Sequence, residues 1–131
     1  MNNKKFTPEK ITKLAPNEIF VFGSNLDGAH FGGAAYAAVK KFNAIMGQGV
    51  GLQGQSYAIP TMQGGVETIR PYVNEFITFA KEHPEKHFLV TRIGCGIAGF
   101  KDREIAPLFT EALTMQNISL PETFVLIITE K

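Results

Sequence analysis

The sequence predicts an α/β fold in which a mostly parallel central sheet carries helices on both faces. Three observations lead there. Short apolar runs alternate with amphipathic stretches along the chain, as strands and helices do in such folds. The run Ile19, Phe20, Val21, Phe22 is apolar at every position, which suits a central strand buried on both faces. Glycine-rich segments follow this run and a later one, each where a strand would hand over to a helix.

Thr7, Pro8 and Glu9 resemble a helix start, with Pro at the first helical position, so a short helix is expected over 8–14. Pro16 and Asn17 end it, and the first strand covers 18–22. Residues 33–43 read as a helix because Ala35, Ala38, Val39 and Phe42 recur at i, i+3, i+4 and i+7. Its alanines allow close approach to the sheet. A glycine-rich connection spans 44–54, and a short strand over 56–59 is stopped by Pro60. The next helix carries Ile69, Val73, Phe76, Ile77 and Ala80 on one stripe, with Thr68 as its cap and Pro71 in its first turn. A strand over 87–92 precedes the second glycine loop. A helix over about 103–116 follows, with Pro107 bending its start. The apolar run Thr123 to Thr129 reads as the final strand.

With 131 residues the chain is read as one domain, 1–131, able to bury roughly two-thirds of its extended-chain surface. Hydrophobic content of 44 % and eleven Phe provide for a core. Thirteen basic residues face twelve acidic ones, a balance that argues against bulk electrostatic binding to nucleic acid or to an anionic membrane. A single cysteine excludes an internal disulfide and any cysteine-based zinc framework. No signal peptide and no membrane span are read, so a cytoplasmic protein is expected, with no metal and no resident cofactor.

The two glycine segments carry the functional reading. Gly94, Gly96 and Gly99 flank Cys95, Ile97 and Ala98, ahead of Phe100. Gly23, Ser24 and Asn25 read as the turn after the first strand, and Gly32 and Gly33 open the Ala-rich helix. Turns of this kind expose backbone N–H groups beside a helix N-terminus, an arrangement that suits phosphate oxygens. The expected ligand is a phosphorylated small molecule held mostly by backbone dipoles. Gly49 to Gly54 spells G-x-G-x-x-G but follows a helix and enters a strand, the reverse of a dinucleotide fingerprint.

Single residues remain open at this level. Asn25 offers a donor and an acceptor for a ribose or an attacking water, and Asn is equally at home in a turn. Asp27 is a weak candidate base or a solvated turn residue. His30 reads most simply as an exposed loop histidine. Cys95 has no base beside it in sequence and reads as a packing residue. Arg92 reads as an ion-pair partner ahead of a phosphate clamp. Phe100 is either core or a surface for ribose or base.

Together these residues resemble the macro domain, or ADP-ribose-binding (Appr-1-p processing), family. Its first signature is a strand entering an Asn-containing turn, followed by glycines opening an Ala-rich helix, here Phe22 to Asn25 and Gly32 to Ala35. Its second is a Gly-x-x-Gly-aromatic loop after a strand, here Gly96 to Phe100. Gly54 to Thr61 is similar to the family's short middle strand. The likeness spans roughly 18–129 and is nearest to a compact, divergent bacterial and phage branch. It implies a three-layer α/β/α fold and binding of ADP-ribose or a related nucleotide diphosphate, with possible hydrolysis at the distal ribose by an ADP-ribosyl hydrolase or ADP-ribose 1″-phosphatase. Ligand contacts would come from Gly23, Ser24, Asn25, Gly32, Gly33, Gly94, Gly96, Ile97, Ala98, Gly99 and Phe100, and catalysis from Asn25 and Asp27. The chain departs from the family pattern in two places. Phe22 stands where the family has its first Asn, and residues 1–18 hold no match to its adenine-binding Asp.

Overall fold

The structure is a computed structural model, and it describes residues 6–130. A five-stranded sheet has the order β2-β3-β1-β4-β5, with strands Glu18–Ser24 (β1), Gly51–Gln53 (β2), Ser56–Pro60 (β3), His87–Val90 (β4) and Ile118–Ser119 (β5). β1 is central and runs parallel to β3 and β4, β5 is parallel to β4, and β2 alone is antiparallel, to β3. The α/β class and the mostly parallel sheet are therefore as the sequence predicts.

The alternation within β1 builds both faces. Ile19 and Val21 point into one core with Tyr57, Ile59, Phe88 and Val90, under the helix Val66–Glu82 (α2). Phe20 and Phe22 point into the other, under the helix Gly33–Lys41 (α1), where Ala35, Ala38 and Phe42 meet them. The Phe20 and Phe42 rings pack with centroids 4.8 Å apart. Small alanines let α1 lie close to two phenylalanines of the sheet, as the sequence led one to expect.

Four local expectations are corrected. Residues 8–14 form no helix; the segment is irregular, tied to the body by the Phe6–Leu120 bridge and by Thr7 N–H donating to Leu120 O at 2.9 Å. The Thr7 hydroxyl is buried without a partner, so it caps nothing. α2 starts at Val66 with Gly65 as N-cap, which puts Pro71 inside the helix, and Thr68 Oγ1 donates back to Gly65 O. The helix expected over 103–116 divides into one α-turn, Asp102–Ile105 (α3), and a 3-10 helix over Ala106–Thr114 with Pro107 at its start. Proline has no N–H for the i−4 carbonyl, so an α-helix cannot pass through that point with its ladder complete.

The largest correction concerns the C-terminal apolar run. Glu122–Thr129 is a helix (α4), and the strand that pairs with β4 is the two-residue β5 before it. Pro121 stands at the N-cap, and the Thr129 hydroxyl donates to Val125 O in helical fashion. Only Phe124 is wholly buried; its ring lies 5.9 Å from that of Phe109 on the 3-10 helix. A run apolar at every position fits a helix period as well as a strand period.

Candidate functional site

A cleft of about 340 Å³ opens at the carboxyl ends of β1, β3 and β4. One wall is the segment from Gly23 through Asn25 to the start of α1; the other runs from Thr91 to Ala98, with Thr61 and Met62 contributed by the end of β3. The two glycine segments singled out in the sequence are thus brought together at one sheet edge. This is where ligands sit in open α/β sheets, because the strand-to-helix loops converge there.

Both walls offer unpaired amides. The first turn of any helix leaves its N–H groups without intrahelical acceptors, and here those belong to Gly33, Ala34 and Ala35. No side chain caps them. Across the cleft the N–H groups of Gly94, Gly96, Ile97 and Ala98 find no acceptor among the described residues, while Cys95, Gly99 and Phe100 donate within the loop. Gly94 and Gly99 have φ of +76° and +82°, values that favour glycine and let the loop fold back on itself. The side chain of Ile97 reaches the opposite wall: a Cβ on Gly32 would sit 3.3 Å from its Cδ1.

Asn25 lines the cleft but is engaged. Its Oδ1 accepts from Ala29 N–H at 2.9 Å and its Nδ2 donates to Ala29 O at 3.2 Å, closing the 25–29 turn. Asp27 is exposed and lies outside the lining. Gly23, Ser24, Gly32, Gly33, Gly94, Gly96, Ile97 and Ala98 all line the cleft, whereas Gly99 and Phe100 do not. Phe100 packs against the larger core, and its ring lies beneath Gly94 beside Ile105. That apolar ring is better covered under the loop than over the cleft.

His30 is wholly buried, in contrast to the exposed loop histidine expected. Its ring meets Phe22 edge-on at 5.2 Å and its Nε2 lies 2.9 Å from Gln48 O. The 44–54 segment that covers it is built rather than slack. Gln53 Nε2 donates to Gln48 O and Gly51 O, Gln53 Oε1 accepts from Ile45 N–H, and Ser24 Oγ donates to Gly49 O at 2.5 Å. Sequence reasoning missed this buttress because the glutamine side chains bond backbone inside an irregular segment with no period to read, and the tie to Ser24 joins residues 25 apart.

Among the described residues Arg92 is the one ionisable side chain of the lining. It holds Asp102 through Nε–Oδ2 at 3.1 Å and Nη2–Oδ1 at 2.6 Å, the ion-pair role expected for it. The Arg92 bonds, helped by hydrogen bonds from Thr123 and Cys95, lower the Asp102 carboxyl to about 2. Burial, with the Asp102 charge beside it, pushes the Cys95 thiol up to about 12. Such a thiol is not a nucleophile near neutral pH. Among the described residues no cluster of three or more His, Cys, Asp or Glu is placed to hold a metal ion, and no helix is long and apolar enough to cross a membrane. Comparison with known proteins finds no matching family model, no matching curated protein and no matching solved structure.

Proposed function

We propose that the cleft binds ADP-ribose or a related nucleotide diphosphate, in a macro domain-like manner and in the cytoplasm. The observation that carries this reading is the pair of amide-bearing walls, Gly33 to Ala35 and Gly94 to Ala98, on either side of one cleft. Unpaired N–H groups at a helix start and in a glycine loop suit a diphosphate without a cluster of basic side chains.

Within this reading a binding module is favoured over a hydrolase. The lining has no carboxylate, imidazole or thiol among the described residues, and the Asn25 amide is tied to Ala29. Hydrolysis at the distal ribose would need Asn25 to release Ala29 and Asp27 to turn inward as base. Titration calorimetry with ADP-ribose, ADP, NAD and UDP-sugars is the test. Saturable binding of ADP-ribose supports the proposal. Binding of other phosphorylated ligands with none of ADP-ribose points to an unrelated α/β phosphate-ligand protein. Release of ADP-ribose from an ADP-ribosylated protein, or of phosphate from ADP-ribose 1″-phosphate, would reverse the preference for a module.

A further inference from the structure

We infer that the cleft takes the nucleobase of its ligand by the flat face and not by the edge, with Phe31 as the stacking surface and Met62 and Ile97 completing an apolar rim, so that adenine and guanine are accepted alike. The inference rests on the reading of the cleft given above and assigns its base specificity.

Among the described residues Phe31 and Ile97 are the most exposed large apolar side chains, at 77 % and 75 %. Both line the cleft, one on each wall. Met62, also exposed, joins them just after β3. The connections that leave β1, β3 and β4 for their helices thus each place one bare apolar side chain at the same cleft. None of the three belongs to either core. A single exposed apolar residue is ordinary, but three around one concave surface mark a face that a ligand covers.

The polar side chains of the lining decide how a base is read there. Among the described residues there are five, and each is already bonded within the protein. Ser24 Oγ donates to Gly49 O, Thr61 Oγ1 to Ser24 O and Thr91 Oγ1 to Val21 O. Asn25 is closed on Ala29, and Arg92 on Asp102. Bases are told apart at their edges, by side chains that match their donors and acceptors. A base face asks only for an apolar or aromatic surface, and every base has such a face. Phe31 directly precedes Gly32 and Gly33, where the wall of free α1 amides begins. A nucleotide joins a flat ring to phosphates, and here the surfaces that suit the two parts are consecutive in the chain.

Calorimetry on wild type, Phe31→Ala and Phe31→Trp tests this, with ADP, GDP, ADP-ribose and inorganic pyrophosphate as probes and thermal melts as the folding control. ADP and GDP differ at the base edge and share the face, so wild type is expected to bind them within about fivefold of each other. Phe31→Ala is expected to weaken both by about fivefold or more while pyrophosphate stays within about twofold, and Phe31→Trp to restore both. Should Phe31→Ala fold poorly, Phe31→Leu keeps the bulk without the flat ring and is read by the same difference. A wider gap between ADP and GDP in wild type overturns the inference, because the edge is then being read. Equal loss of pyrophosphate in Phe31→Ala, or no loss of the nucleotides, overturns it as well. If that variant instead abolishes self-association in sedimentation and leaves nucleotide affinity unchanged, the ring covers a second copy of the chain and the stacking role falls. Failure of the wider reading is seen separately. Wild-type protein that binds ADP and GDP alike through Phe31 but ignores ADP-ribose keeps the stacking surface and loses that reading, and wild-type protein that binds none of the four probes loses both.

Discussion

Arg92 and Asp102 clasp each other through two hydrogen bonds, and between them lies the whole glycine loop from Gly94 to Phe100. The pair closes the loop at its base as a staple would. Loop geometry and cleft shape then depend on a contact outside the glycines themselves.

Asp102→Asn is expected to lower stability at neutral pH by about 1–2 kcal/mol, since a two-bond pair is weakened and the partner guanidinium is half exposed. The acid dependence follows in sign. The folded carboxyl titrates at about 2, below its ordinary 3.8, so folding favours the charged form. Its contribution is complete above about pH 4 and is lost as the pH falls toward 2. Chemical denaturation at pH 7 and pH 2.5 measures both, and a gap between wild type and variant that is as large at pH 2.5 as at pH 7 would refute the assignment.

Gly96→Glu is expected to weaken ADP-ribose binding at least tenfold, about 1.4 kcal/mol. Gly96 lines the cleft, has no heavy atom within 4 Å of where its Cβ would be, and has no left-handed φ. The substitution thus adds negative charge beside the amides without straining the turn. Lys101→Ala is expected to stay within about twofold, because an exposed charge is screened by water and salt. Calorimetry giving the opposite ranking would show that the 94–98 loop is not the phosphate cradle.

Cys95 is expected to be sluggish toward alkylation at pH 8, with the rate climbing only above about pH 10, as a thiol raised to about 12 requires. Iodoacetamide labelling followed by mass spectrometry across pH reads this directly. Half-maximal reactivity below pH 9 would mean that the thiolate is stabilised rather than suppressed, and would reopen a nucleophilic role.

Gly49→Ala is expected to destabilise the fold by about 2 kcal/mol or more, an overpacking effect. Its Cβ would fall on Asn25 O and within 2.6 Å of Leu26 O, and both are backbone atoms that cannot step aside. Gly96→Ala, with open space around it and no left-handed φ, is the control and is expected to be neutral within about 0.5 kcal/mol. Equal melting temperatures for the two variants would show that the 44–54 segment is a slack connection after all.

What the sequence determined by itself is the set of features written in local periodicity. The continuous apolar run of β1, the stripe Ile69 to Ala80 on α2, and the glycine loop after β4 stand where they were read, because each encodes its own period or turn, whereas Gly23 and Ser24, read as a turn, continue β1 by pairing with Ile59 and Pro60. The convergence of the two glycine segments also followed, since parallel strands put their outgoing loops at one edge. The tertiary structure decided the rest. Thr123 to Thr129 is apolar in every register, so only docking on the 3-10 helix, with β5 already paired to β4, made it α4 rather than a strand. His30 sank into the protein because Gln48, eighteen residues on, supplies its partner. Asn25 was drawn into its turn, and Phe100 slid beneath Gly94 instead of over the ligand cleft. Such choices rest on which surfaces meet, and a pattern of apolar residues states that a face is to be buried without stating what will bury it.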